Sequence, residues 1–566
     1  MKSIVSGAAL AAIFALLFLS QGITAPFQKD EEARPAGIVA DIVQHGDWLI
    51  PADLYGEATR KPPLFYWLSA IMAQVRGGPI DEAGARMISL IAAAALTAIV
   101  AAFAATYLGI SIGWLAALFL LGIYGFASRG PHVRTDMLFS CLLFASYCTI
   151  YPQLEGSDSI SRSLFAGFLL GLALLTKGPL AIAICGLALT IFLMMTRRNP
   201  LHSLIIRRWA WIVLVVACAT VALWYVPAFM RDPQLLKVQF GQENLGHLVP
   251  SSLGGTGEAA RPFYYLWIRL IGGSFPLILY LPAAIATLWR SRDIQRPVLY
   301  QSAMVLAVLA IFTIASSKRD IYVLPAFAPL AIVLAAPFAS LRDIRVRAMA
   351  GVASAAAAIG MLVVAIAGLA VMIRPAVASR LISSLQSSDA AYMQLYLNDF
   401  GLAHVEFIAI MSLIAISSIA GLALVMNHRT FASAIGVGIA SLAAVSLWIG
   451  LLKPELAREH TLKGFAASAQ SVVENEHLYV VGAPDYELSY YLDHGVPGWR
   501  PRYMRNSGPG HPSYVMVWSN QLHRAGLATY AAHPILESAP MSHHRRMLLL
   551  RIDQPSANPA TAGIGR

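Results

Sequence analysis

Apolar runs long enough to enter or cross a bilayer alternate along most of this chain with short polar breaks. Thirteen such runs are predicted to be membrane helices, at residues 4–24, 86–107, 112–128, 136–152, 163–176, 179–196, 209–229, 264–289, 298–316, 321–340, 348–373, 402–426 and 431–452. The pair flanking Lys177-Gly178-Pro179 is short, and the 264–289 run contains Gly272, Gly273, Pro276 and Pro282, which neighbouring helices have to accommodate. From about Lys453 the pattern changes. His477–Ala483, Tyr514–Ser519 and Met547–Ile552 read as buried strands, and Glu487–Gly495 reads as a helix ending at a glycine. The expected fold is therefore an all-α polytopic membrane domain of about 13 transmembrane helices over residues 1–452, with a first outer loop at about 25–85. A small α/β domain on the outer side follows over 453–566. No repeat of 20–50 residues is visible, and the last dozen residues, rich in Ala, Pro and Gly, read as disordered.

Composition agrees with this pattern: 57% of the 566 residues are hydrophobic and 13% charged, which excludes an ordinary water-soluble enzyme. The formal charge of +11 raises the possibility of a nucleic-acid partner, but the basic residues punctuate apolar runs and do not form one patch, so no nucleic acid is expected. Cys141, Cys148, Cys185 and Cys218 all fall in apolar segments, and their spacing suggests neither a disulfide framework nor a zinc site.

The distribution of cations also orients the chain. Arg197, Arg198, Arg207, Arg208, Arg290, Arg292, Arg296, Arg342, Arg345, Arg347 and Arg429 share the inner side if the N-terminus is cytoplasmic. The stretch after the first run, the loops around 129–135, 230–263 and 317–320, and the tail after 453 then lie outside. Residues 1–25 also fit a cleaved signal peptide, and in either case Asp30 ends up outside.

That outer face gathers ionisable groups. They are Asp30, Glu31 and Glu32 in KDEEARPAGIVADIVQHGDWLIP; Lys61 in RKPPLFYWL; Arg129, Arg134 and Asp136 in SRGPHVRTDML; Lys177 in TKGP; Glu243, His247 and Arg261 in the 230–263 loop; and Lys318, Arg319 and Asp320 in SSKRDIYVLP. Charged groups at helix ends on one membrane face form a candidate site by default. Carboxylates beside cations suit a reaction that needs a general base and a handle for phosphate. A plainer reading is open for each residue. Loop charges can simply report topology, Lys61 can cap an interfacial helix beside the Phe65-Tyr66-Trp67 belt, Tyr322 can belong to such a belt, and Lys177 can be a snorkelling anchor. His247 reads more readily as a loop histidine than as a ligand. His477, His494, His511, His543 and His544 show no tight ligand spacing, so no metal is expected to be required.

The order acidic cluster, GDWLIP, RKPPLFYWL, RTDML, LLTKGP, KRDIYVLPAFAPLAI and a late ELSYYL resembles the GT-C class of integral-membrane glycosyltransferases. Within it, the resemblance is to lipid A aminoarabinose transferases and their protein O-mannosyltransferase kin. It implies an enzyme that takes a sugar from a polyprenyl-phosphate carrier at the outer face of a bacterial inner membrane and transfers it, usually with inversion. The implied partners are the lipid-linked donor, a lipid or protein acceptor and membrane lipids, with no required cofactor, although a divalent metal is used by some of the class. Asp30 is taken as the family's essential acid, with Glu31 as the alternative. The family form Asp-Glu-x-Arg, anchored on Arg34, instead puts Glu31 at the aspartate position, and Pro35 stands where an aromatic is usual. Asp136 resembles the second acid and Lys61 the lysine that holds the carrier phosphate. Tyr322 and Arg261 look like further phosphate contacts, with Arg134, Lys318 and Arg319 beside them. The rival reading, a transporter, calls for ionisable residues near span centres or broken helices paired in two halves, whereas almost no charge lies inside the spans and no half-to-half symmetry is visible. The sugar (aminoarabinose, galacturonic acid, mannose or another) and the acceptor stay open.

Overall fold

The computed structural model describes residues 2–27, 30–78, 80–200, 202–236, 239, 261–315, 317–373, 403–474, 476–483, 485–499, 514–522, 531–539 and 545–553. Glu243, His247, His511, His543, His544 and the terminal dozen residues lie outside them, as does the side chain of Asp30, whose backbone opens a helix.

The helices named below are α1 (Lys2–Leu19), α2 (Asp30–His45), α3 (Leu64–Arg76), α4 (Glu82–Leu108), α5 (Ile110–Gly122), α6 (Tyr124–Ala127), α7 (Thr135–Leu154), α8 (Ile160–Lys177), α9 (Leu180–Met195) and α10 (Arg208–Arg231). Among the described residues, ten helices are long and apolar enough to cross a membrane, eleven if the bent pair Tyr265–Ser274 and Leu277–Arg290 is one span. The shorter apolar helices α5 and α9 complete a one-to-one match with the thirteen predicted runs. At 1.5 Å per residue the 13 residues of α5 reach about 20 Å, short of a hydrocarbon core of about 30 Å. The bent pair turns by 97° where Pro276, which has no amide hydrogen, interrupts the run.

Small residues let the spans approach closely. A Cβ on Gly113 would lie 2.6 Å from the Ala101 carbonyl oxygen, which draws α5 onto α4. A Cβ on Gly167 would lie 2.7 Å from the carbonyl of Val213, and one on Gly171 would meet Thr220, so α8 is held flat against α10. Where large residues meet, they interlock. Tyr147 and Tyr300 each donate a hydroxyl proton to the other's backbone carbonyl at 2.7 Å, with rings stacked 3.9 Å apart. The span Asp320–Ala339 runs through the middle of this packing and is 94% buried over its apolar window.

The helix Thr430–Ser446 continues through a π-turn at Leu447–Leu452 into Lys453–Glu459 and then Lys463–Val473, carrying the chain out of the membrane domain. Beyond it lie β1 (Leu478–Val481), β2 (Gly498–Trp499), β3 (Tyr514–Trp518), β4 (Ala531–Glu537) and β5 (Met547–Asp553). They form one sheet in the order β2-β1-β3-β5-β4, with β1 parallel to β2 and β3, and β5 antiparallel to β3 and β4. β1, β3 and β5 are the predicted strands. β2, of two residues, is too short to carry a pattern. β4 contains Pro534, which denies a ladder donor and fits an edge strand with the irregularity seen between Pro534 and Leu536. The predicted helix is Tyr486–Tyr491, capped at its start by the Asp485 carboxylate. It ends short of Gly495 because Asp493 adopts a left-handed φ of 61°.

Candidate active site at the helix ends

One turn of α2 sends its side chains in three directions, because successive residues on a helix are rotated by roughly 100°. Glu31 points into a basin of charge. Its Oε2 accepts a hydrogen bond from Arg134 Nη1 at 3.0 Å, and the side chain is 61% exposed. Arg134 turns its Nε to Asp136 Oδ2 at 3.3 Å, and Lys177 Nζ donates to Asp136 Oδ1 at 2.5 Å.

Local structure explains these positions. Asp136 occupies the first turn of α7, where unpaired backbone N–H groups favour an anion, and Lys177 is the last residue of α8, where unpaired carbonyls favour a cation. Gly178 follows with φ 72° and ψ −155°, a conformation that excludes a side chain, and Pro179 starts the turn into α9. Lys177 Nζ also lies 5.3 Å from the Tyr322 ring centre and 5.5 Å from that of Phe139. Lys61 stands near enough to interact electrostatically with Asp136. An Arg129–Asp320 ion pair stands alongside, with Asp320 within electrostatic range of Arg134.

Glu32 points the other way, into the protein, and pairs with Arg86 near the start of α4. Arg86 Nε and Nη2 reach its two oxygens at 3.0 and 2.8 Å, and both side chains are buried. The same guanidinium caps the carbonyls of Ile23, Ala25 and Pro26, and the Val133 amide donates to Glu32 Oε1 at 3.1 Å. Burial alone would raise the Glu32 carboxyl, but the Arg86 charge prevails and holds it well below the ordinary value of 4.5. His132, driven down by burial and then by Lys453, is neutral at pH 7, with Nε2 2.7 Å from Lys453 Nζ. A small cavity lined by Gln21, Glu32, Arg86 and Lys453 lies beside this anchor.

The third direction is taken by Arg34, which grips Asp53 at 3.0 Å. The loop bearing the acids is thus fixed on two sides while Glu31 faces the basin.

Of the residues singled out in the sequence, Glu31, Arg134 and Asp136 form one connected network, with Lys61, Lys177 and Tyr322 around it. Lys318 does not face the basin: it is buried and spends Nζ on the Ala315 carbonyl at 2.5 Å. Arg319 beside it is exposed. Arg261 is exposed and lies over the Tyr265 ring at 5.5 Å, sharing that ring with Arg269 at 5.1 Å. Sequence reasoning passed over Arg86, although a lone arginine opening an Ala-rich span was the available signal. It also passed over Asp53 and Tyr486, whose pairing crosses more than 400 residues and leaves no local trace. Among the described residues no three His, Cys, Asp or Glu gather as metal ligands.

Known proteins share both sequence and architecture with this chain. Residues 60–225 match the family described as dolichyl-phosphate-mannose-protein mannosyltransferase. The undecaprenyl phosphate-alpha-4-amino-4-deoxy-L-arabinose arabinosyl transferase of Aeromonas salmonicida (strain A449) is 29% identical over 338 residues, 58% of this chain and 59% of that protein. The enzyme of the same name from Yersinia enterocolitica is 29% identical over 337 residues, again 58% and 59%. The sequence match thus spans about three fifths of these relatives' length. The crystal structure of ArnT from Cupriavidus metallidurans bound to undecaprenyl phosphate superposes with a TM-score of 0.73 at 18% identity, covering 97% of this chain and 98% of that one. Its apo form gives 0.72 over the same shares. Fold and sequence together make the chain a polytopic membrane protein with the fold of ArnT, similar in sequence to the aminoarabinose transferases.

Proposed function

We propose that the chain is an inverting glycosyltransferase that moves a sugar from a polyprenyl-phosphate carrier to a lipid acceptor, lipid A or a related envelope glycolipid, at the outer face of a bacterial inner membrane. The observation that carries this reading is the network from Glu31 through Arg134 and Asp136 to Lys177, an exposed carboxylate at the edge of a fixed cationic basin. The arginine-lined breaks on the opposite face support the outward orientation. The names of the Aeromonas and Yersinia relatives point to undecaprenyl phosphate-linked aminoarabinose as the donor.

In the proposed step, a bond forms between the acceptor oxygen and the anomeric carbon while the bond from that carbon to the carrier phosphate breaks. Glu31 takes the proton of an acceptor hydroxyl, or orients the acceptor when it is already an anion. Lys61, Lys177 and the Tyr322 hydroxyl stabilise the charge developing on the departing phosphate. Asp136 bridges Arg134 and Lys177 and so fixes both cations at the basin. With these cations supplying the charge, transfer needs no metal. Asp30, one residue earlier, remains a candidate for the acid. A protein acceptor is the second reading, favoured by the match of residues 60–225 to protein mannosyltransferases.

The test uses purified protein with undecaprenyl-phosphate sugars and either lipid A or an envelope protein fraction, read by mass spectrometry. Glu31→Gln is expected to lower transfer by about 10²–10⁴-fold, and Asp30→Asn by less than about tenfold. EDTA is expected to leave the rate unchanged. Equal transfer by wild type and both variants refutes the assignment of the acid, and sugar appearing only on protein replaces the lipid acceptor.

A further inference from the structure

The Tyr486–Tyr491 helix of the C-terminal region sits against α2, and its first residue reaches a buried carboxylate in the turn that follows α2. Asp53 lies in a short turn closed by the Ala52–Ala58 bridge and is 1% exposed. Its Oδ1 accepts the amides of Tyr55 and Glu57, each at 3.1 Å. Its Oδ2 accepts Arg34 Nε at 3.1 Å and the Tyr486 hydroxyl at 3.0 Å. The Arg34 guanidinium stacks 5.0 Å from the Tyr486 ring centre, and Tyr55 meets the same ring edge-on at 5.2 Å. Burial and the neighbouring Asp53 charge push the Tyr486 phenol up, so it stays a donor at any physiological pH.

Around this point the tail grips the loop elsewhere. The Phe27 amide donates to the Tyr491 hydroxyl at 2.8 Å, and Gln44 donates to Asp493 at 2.8 Å. A Cβ on Gly495 would lie 2.2 Å from the Leu54 carbonyl. Arg34 is three residues beyond Glu31, almost one helical turn, so a rotation of α2 that frees Arg34 also moves Glu31 out of reach of Arg134.

We propose that Tyr486 is a positioning residue for the transfer reaction, holding Asp53 and Arg34 so that α2 presents Glu31 to the basin. The C-terminal region is thereby part of the working enzyme. This rests on the function proposed above, with Glu31 as the acid. Tyr486 touches no reacting atom and acts only through Asp53 and Arg34. Its effect therefore falls on turnover and not on donor binding, which is the business of Lys61 and Lys177.

The experiment compares wild type, Tyr486→Phe, Tyr486→Leu, Asp53→Asn and the Tyr486→Phe/Asp53→Asn double variant, full-length and in detergent, with undecaprenyl phosphate-linked aminoarabinose and lipid A. Loss of one buried hydrogen bond to a charged group is expected to lower kcat about tenfold for Tyr486→Phe, with donor KM within about twofold. Tyr486→Leu, which also removes the ring under Arg34, is expected to fall further. The double variant is expected to be little worse than either single one, because all three residues share one network. Amide exchange over residues 30–45 is expected to quicken in Tyr486→Phe. Unchanged kcat in folded Tyr486→Phe, or losses that simply multiply in the double variant, overturns the proposal. If wild type transfers no sugar to any acceptor, the transferase reading falls, and exchange over α2 alone then decides whether Tyr486 holds that helix.

Discussion

Three neighbouring acids in the sequence have three different fates. Asp30 opens the helix, Glu31 meets a cation at an open surface, and Glu32 is sealed against Arg86. They read alike in the sequence because which face of a short helix is buried depends on partners far along the chain. Glu32 is a structural group. Its folded pKa lies below the ordinary 4.5, so its stabilising contribution is fully present above about that pH and is lost only as pH falls through the lower folded value. Thermal unfolding of the purified protein is accordingly expected to keep its midpoint from pH 7 to pH 5 and to drop under stronger acid. Glu32→Gln, which leaves Arg86 buried without a counter-charge, is expected to cost about 3–5 kcal/mol. It should also flatten that acid limb. An acid limb that survives in Glu32→Gln would assign it to another carboxylate.

Among the elements, the spans were the most legible, since bilayer thickness imposes a length that irregular backbone cannot satisfy. What escaped was their geometry: the 97° bend in the 264–289 run, and the shortness of α5. Glycine and proline announced that something happens there without saying which way the chain turns. The α8–α9 junction shows what such a turn achieves. Gly178 lets α8 stop with Lys177 facing Asp136, and its backbone angles suit only glycine. Gly178→Ala is expected to cost about 1–3 kcal/mol in thermal unfolding. Donor KM is expected to rise as Lys177 is displaced. A variant with lowered stability but unchanged KM would show that the turn serves folding alone.

For the whole molecule, the membrane class was legible in the apolar runs, and the placement of arginines and acids sets the orientation to expect. The sites that join remote segments were not, because Asp53 with Tyr486, and Lys463 with Glu82, pair across hundreds of residues. Orientation is open to direct measurement. In intact cells, a membrane-impermeant maleimide is expected to label Ser468→Cys, while Ser157→Cys reacts only after permeabilisation. The reverse pattern would turn the basin inward and remove the outer-face reading. The helical run Thr430–Val473, 44 residues from the membrane domain to the sheet, has a consequence for the lipid around the protein. A helix that crosses a bilayer answers a change in hydrocarbon thickness by tilting, and this run leads on to the segment whose Tyr486 holds Asp53. Acyl-chain length is thus expected to act on turnover through this run. Turnover in vesicles of short-chain and long-chain phospholipid is expected to differ for the wild type and to converge for Tyr486→Leu, in which the lever no longer holds what it moves.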